Sequence, residues 1–124
     1  MPKYFTVAEA NALLPRLKVL LAEMLAARER IIKSRPTWAP MIEKAPSNGG
    51  GERGKQLYTD SEQIRLTMAQ VSEWGILIKD VDAGLVDFPA LRNGREVYLC
   101  WKLGEERVTY WHEIDAGFAG RQPL

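Results

Sequence analysis

The amino-acid sequence predicts an α+β domain: a long N-terminal helical hairpin followed by a small antiparallel β-meander. Three observations carry that reading. Leu13, Leu17, Leu20, Met24, Ala27 and Ile31 recur in alternating steps of four and three, which is helical spacing. After Gly75 the apolar period changes to two. Asn93-Gly94 then stands between two alternating apolar runs, a strong short-range hairpin signal.

The first helix has a defined start. Thr6 and Glu9 have the spacing of a capping box, in which each side chain satisfies a backbone N–H of the other. Phe5, just before the cap, is placed to staple against Ala10. The heptad-like seam is widened by Leu14, Leu21, Leu25 and Ile32, so this helix needs more than one neighbour. Pro15 opposes an unbroken helix, because it lacks an N–H and its ring meets the carbonyl of Asn11. Either the helix kinks there, or a short first helix ends near Leu14 and Pro15 opens the long one.

Residues 35–55 hold three prolines and four glycines and read as a long mobile loop. The GGGERGK within it departs from the spacing of a phosphate loop and follows no strand, so a phosphate role is not expected. A second, shorter helix is expected next. Thr59 and Glu62 offer another capping box, Leu57, Ile64, Met68 and Val71 an apolar stripe, and Gly75 a left-handed stop. The two helices should pair as an antiparallel hairpin.

Residues 76–78 and 85–91 read as short strands, with Pro89 pushing the second to an edge or ending it. Beyond Asn93-Gly94, Val97, Leu99 and Trp101 share one face of a strand while Tyr98, Cys100 and Lys102 share the other. Both faces are largely apolar, so this strand is central. A turn at 103–105 leads to a last strand over 107–113. The expected organisation is one domain over 1–124, with the hairpin over 6–75 and the meander and C-terminal tail over 76–124.

A chain of 124 residues with 46% hydrophobic and 27% charged residues fits one soluble globular domain. Its net charge of +1 argues against a dedicated nucleic-acid binder. The charge is unevenly spread. Residues 1–55 carry ten Lys/Arg and five Asp/Glu, and residues 56–124 carry seven and eleven. Opposite halves favour packing against each other or against a second copy. A single cysteine excludes an intrachain disulfide and suits a reducing cytosol. The N-terminal residues lack the apolar stretch of a signal peptide, and Pro15, Arg16, Lys18 and Glu23 interrupt the longest apolar run. A cytoplasmic protein without a membrane span is expected.

Three segments, FTVAEANALLP, KDVDAGLVDFPALRNGREVYLCWKLGEE and YWHEIDAGFAGRQP, together resemble the bacterial family known as domain of unknown function 2203. The resemblance covers nearly the whole chain outside 35–55. It implies a small bacterial cytosolic protein and carries no activity, cofactor or site residue with it.

Candidate site residues concentrate near the C-terminus. Asp87, Glu105 and Asp115 with the single histidine, His112, are the residue types that hold Mg²⁺, Mn²⁺ or Zn²⁺, with Asp87 and His112 as the core. Asp80, Asp82 and Gly84 resemble a calcium loop but lack its closing glutamate and following helix, and read instead as turn residues. His112 and Glu113 should point to opposite faces of a strand. Trp101, Trp111 and Arg121 are candidates for a small-molecule pocket with aromatic walls and an anion anchor. Arg121 is expected to return to an acid near His112, and Cys100 to be buried and inert.

Two functional readings follow. One is a non-enzymatic binding or assembly module that forms a homo-oligomer, a dimer, through the helical seam. The other is a metal-dependent enzyme, for example a hydrolase, using a divalent ion at the acidic/His112 site. The absence of a second metal-type histidine favours the module.

Overall fold

The computed structural model describes residues 3–44 and 51–124, and for 36–44 the backbone alone. Helices α1 (Val7–Lys44) and α2 (Gly51–Glu73) precede strands β1 (Leu77–Asp80), β2 (Leu85–Arg92), β3 (Arg95–Lys102), β4 (Tyr110–Glu113) and β5 (Gln122–Pro123). The strands form one antiparallel sheet in the order β1-β2-β3-β4-β5, so the fold is α+β and β3 is its centre.

The capping box forms as expected. The Thr6 N–H donates to Glu9 Oε1 at 2.9 Å, and the Glu9 N–H donates to Thr6 Oγ1 at 3.0 Å. From there α1 runs without a break through Pro15. A proline in a helix interior costs about 3 kcal/mol, whereas each fully buried Leu contributes roughly 1.5–3 kcal/mol. Leu14, Leu17 and Leu21 are all buried on the continuous helix, which outweighs the proline. Pro15 itself lies on the exposed side.

The buried line on α1 differs from the expected seam. It runs Ala10, Leu14, Leu17, Leu21, Met24 and Ala27. Leu13, Leu20, Leu25 and Ile31 are only half-buried, and Ile32 is exposed. The reason is that α1 packs against two surfaces, the sheet and α2, rather than along one seam.

Residues 35–55 are corrected in the same way. The backbone of α1 continues to Lys44 and α2 begins at Gly51, so both ends of the expected loop are helical; residues 45–50 lie outside the described residues. With α2 starting at Gly51, Thr59 is inside the helix and no capping box forms at it. The inward face of α2 is Asp60, Thr67 and Val71, with Leu57 and Ile64 half-buried, whereas Met68 is exposed. Two polar residues on that face hid it from an apolar count. Asp60 is buried because Arg30 Nε and Nη2 and Gln56 Nε2 all donate to its Oδ1, at 3.0, 2.9 and 3.1 Å. Arg30 with Asp60 and Glu23 with Gln63 place the helices antiparallel, as expected. Gly75 ends α2 at φ 90°, and the Ile76 N–H closes the turn onto Val71 O at 3.2 Å.

In the sheet, Asn93 (φ 53°) and Gly94 (φ 76°) make the expected tight turn between β2 and β3. β2 continues through Pro89 to Arg92. β1 pairs only with Leu85–Asp87 of β2, so that side of β2 is open beyond Asp87. Pro89 O accepts the Phe5 N–H at 2.7 Å on that side. The N and O of one strand residue point the same way, so the missing N–H of Pro89 costs no bond to β3. Val86, Phe88, Ala90, Val97, Leu99, Trp101 and Trp111 face the helices and form one core with Leu14, Leu17, Leu21, Met24 and Val71. The last expected strand is shorter than 107–113, because pairing begins at Tyr110. The tail makes a 3₁₀ turn at Phe118–Gly120 and returns as β5 beside β4.

Candidate functional site

Alternation along the strands decides which side chains meet on the sheet face turned away from the helices. Asp87 stands opposite Cys100, Cys100 opposite Tyr110, and Tyr98 opposite His112. These five therefore share that face. Asp87 and His112 are each 2% exposed and Cys100 is fully buried.

The three buried groups are joined to one another. His112 Nδ1 lies 2.7 Å from Glu113 O. A carbonyl only accepts, so this nitrogen is the protonated donor. That bond directs Nε2 to Asp87 Oδ1 at 2.9 Å. The Asp87–His112 pair holds one further proton between nitrogen and carboxylate. The Cys100 thiol also donates to Asp87, and burial together with the nearby Asp87 charge pushes the thiol up to about 12. Tyr98 meets the His112 ring edge-on at 5.6 Å, and Lys79 Nζ sits 4.8 Å from the Tyr98 ring centre.

The chain end closes the neighbouring part of the face. The Arg121 guanidinium lies over the rings of Tyr110 and Phe118, at 4.1 and 4.6 Å. Its Nη2 donates to Glu105 Oε1 at 2.7 Å and to Cys100 O at 3.4 Å. Burial pushes the Glu105 carboxyl up, but the Arg121 hydrogen bond and the Lys102 N–H outweigh it, and the carboxyl rests below its ordinary value. Arg121 does return to an acid of this region, and that acid is Glu105.

The candidate metal residues separate into two groups. Asp87 and His112 are brought together. Glu105 is engaged by Arg121 and the Lys102 N–H, and Asp115 lies exposed in the turn after β4, so neither joins them. Glu113 points to the opposite face and pairs with Arg95. Asp80 accepts the Ala83 N–H as a turn residue, and Asp82 pairs with Arg28 of α1 at 2.8 Å. The proposed ligand pocket is not assembled. Trp101 and Trp111 face the helices, where Trp101 Nε1 donates to Glu105 O at 3.0 Å, while Arg121 lies across the other face.

The residue that sequence reasoning placed only in the core is Cys100, which converges with Asp87 and His112 so that one donor atom from each lies within 4.8 Å of the others. A signal for part of this was present. Counting outward from the two-residue Asn93-Gly94 turn puts Asp87 opposite Cys100. The position of His112 depends on the longer 103–109 connection, which carries no such count.

As a nucleophile this cluster is poorly arranged. The thiol is buried and neutral, and both ring nitrogens of His112 are engaged, by Glu113 O and by Asp87. Cys100 should therefore resist aromatic disulfide reagents at neutral pH in the native protein and react at once in denaturant. Fast native labelling would contradict the buried placement.

The family model described as "Uncharacterized conserved protein (DUF2203)" matches residues 3–124. The chain belongs to the DUF2203 family. Asp87, Cys100 and His112 all lie inside the DUF2203 match. No curated protein and no solved structure matches this DUF2203 chain. Among its described residues, no helix is long and apolar enough to cross a membrane.

Proposed function

We propose that this DUF2203 chain is a non-enzymatic assembly module that pairs with a second copy of itself through the outer face of its helical hairpin. The observation that carries this reading is an apolar surface shared by the two helices. Pro15, Val19 and Leu20 of α1 and Trp74, the residue that follows α2, line an open groove of about 500 Å³. Leu66 stands one helical turn before Gln70, which also lines the groove. Val19, which lines the groove, is 56% exposed, and Leu66 is 55% exposed, so both offer aliphatic surface to a partner.

The seam first expected to do this is occupied within the protomer, where Leu17 and Met24 are fully buried. The exposed groove takes its place. Its rim carries Arg16, and Glu73 precedes the groove residue Trp74; neither has an ion-pair partner among the described residues. A two-fold axis brings each surface against its own copy. Opposite charges on one patch then supply complementarity across the pair.

Sedimentation velocity tests the reading. The wild type should be dimeric at about 100 μM, a concentration that populates even a micromolar dimer. Val19→Glu with Leu66→Glu should give a monomer that keeps the wild-type circular dichroism spectrum, because both side chains are exposed in the protomer. A wild-type monomer at that concentration overturns the proposal.

A further inference from the structure

The geometry points to a binding site for a divalent transition-metal ion of the zinc class at Asp87, Cys100 and His112. This goes beyond the assembly reading and does not depend on it.

The three residues come from adjacent strands β2, β3 and β4, where ladders flank Asp87 and Cys100 on both sides and His112 on the β3 side. One carboxylate oxygen, one sulfur and one imidazole nitrogen lie within 4.8 Å of one another. Bond lengths of about 2.0–2.3 Å to zinc put tetrahedral ligand atoms roughly 3.4 Å apart. The observed spacings, from the 2.9 Å of Nε2 to Oδ1 up to that limit, bracket this value. Closing the site requires shifts of about an ångström or less, within reach of χ adjustments.

The donor set also selects the ion. A thiolate and an imidazole favour zinc, cobalt and their neighbours over magnesium and calcium, which take oxygen donors. His112 is already oriented as a ligand, because its Nδ1–H is held by Glu113 O and Nε2 alone faces the cluster. Charge balance favours the exchange. The ion replaces two protons, the one on the Cys100 sulfur and the one shared by Asp87 and His112. Carboxylate and thiolate then neutralise the divalent charge, with no net charge left in a buried site. Three protein ligands leave a fourth position for water or another donor.

The test uses the full-length protein purified without a histidine tag and treated with chelator. Titration with Co²⁺ should saturate at one ion per chain, with a thiolate-to-cobalt charge-transfer band and the strong visible absorption of a tetrahedral ion. Zn²⁺ should displace the cobalt and raise the melting temperature, and Mg²⁺ should do neither. Cys100→Ser, nearly isosteric, should fold with a similar circular dichroism spectrum, lose the charge-transfer band, and bind Zn²⁺ at least about tenfold more weakly. Absence of cobalt binding by the wild type at millimolar metal overturns the site. A charge-transfer band that persists in Cys100→Ser overturns it equally.

Discussion

Replacing Asp87 with alanine should remove about 3–5 kcal/mol of stability, the usual penalty for breaking a buried pair by deleting one partner. The basis is geometric. His112 Nε2 has its 2.9 Å bond to Asp87 Oδ1, and both side chains are almost wholly inaccessible to water. Without the carboxylate, Nε2 loses its partner inside the protein, and so does the Cys100 thiol that donates to it. Asp87→Asn keeps a side-chain oxygen of the same reach and should cost less, about 1–3 kcal/mol. Urea denaturation monitored by tryptophan fluorescence measures both variants. An Asp87→Ala loss below about 1 kcal/mol, typical of a surface change, would mean that the pair is solvated.

Trp101→Ala should have a comparable effect, about 3–5 kcal/mol, for a different reason. Trp101 is fully buried at the centre of β3 and is the largest such side chain among the described residues. Its removal opens a cavity between the sheet and α1, and strips the 3.0 Å bond from Nε1 to Glu105 O. That bond holds the turn from which Glu105 reaches Arg121. Trp101→Phe separates the two contributions. It retains most of the apolar volume and loses the donor, so its cost should fall well below that of alanine. With typical domain stabilities of about 5–15 kcal/mol, Trp101→Ala is expected to be partly unfolded at 37 °C. Circular dichroism melts of the three proteins would show this ordering, and equal melting of Trp101→Ala and wild type would contradict the packing.

Local rules made much of the fold readable. Thr6 with Glu9, Gly75, and Asn93-Gly94 each specify a backbone event within a few residues, and all three occur where expected. The alternation along 95–102 also identified the central strand. The helix boundaries around 35–55 were not readable, because proline and glycine counts argue for a loop, whereas the backbone is helical up to Lys44 and again from Gly51. The choice between Leu13 and Leu14, or Leu20 and Leu21, as inward residues was likewise beyond a one-helix pattern. It depends on two neighbours set at an angle to each other. At the site, residue chemistry marked Asp87 and His112, but Glu105 and Asp115 were drawn in by proximity in sequence. Strand pairing brings Cys100 to them instead, and the partner of Glu105 proves to be the arginine near the chain end.

The sheet's outermost strands have a consequence for solution behaviour. A long unpaired strand edge is a template on which another chain can add, the route to fibrils and tangled oligomers. Here the two outer strands are β1, with four residues, and β5, with two, and β5 includes Pro123, which has no N–H to offer. The open side of β2 beyond Asp87 is met by the segment entering α1, with Phe5 bonded to Pro89. The strongly apolar run of β3 is thereby kept between partners on both sides. The order β1-β2-β3-β4-β5 thus places the most aggregation-prone stretch where a foreign strand cannot reach it.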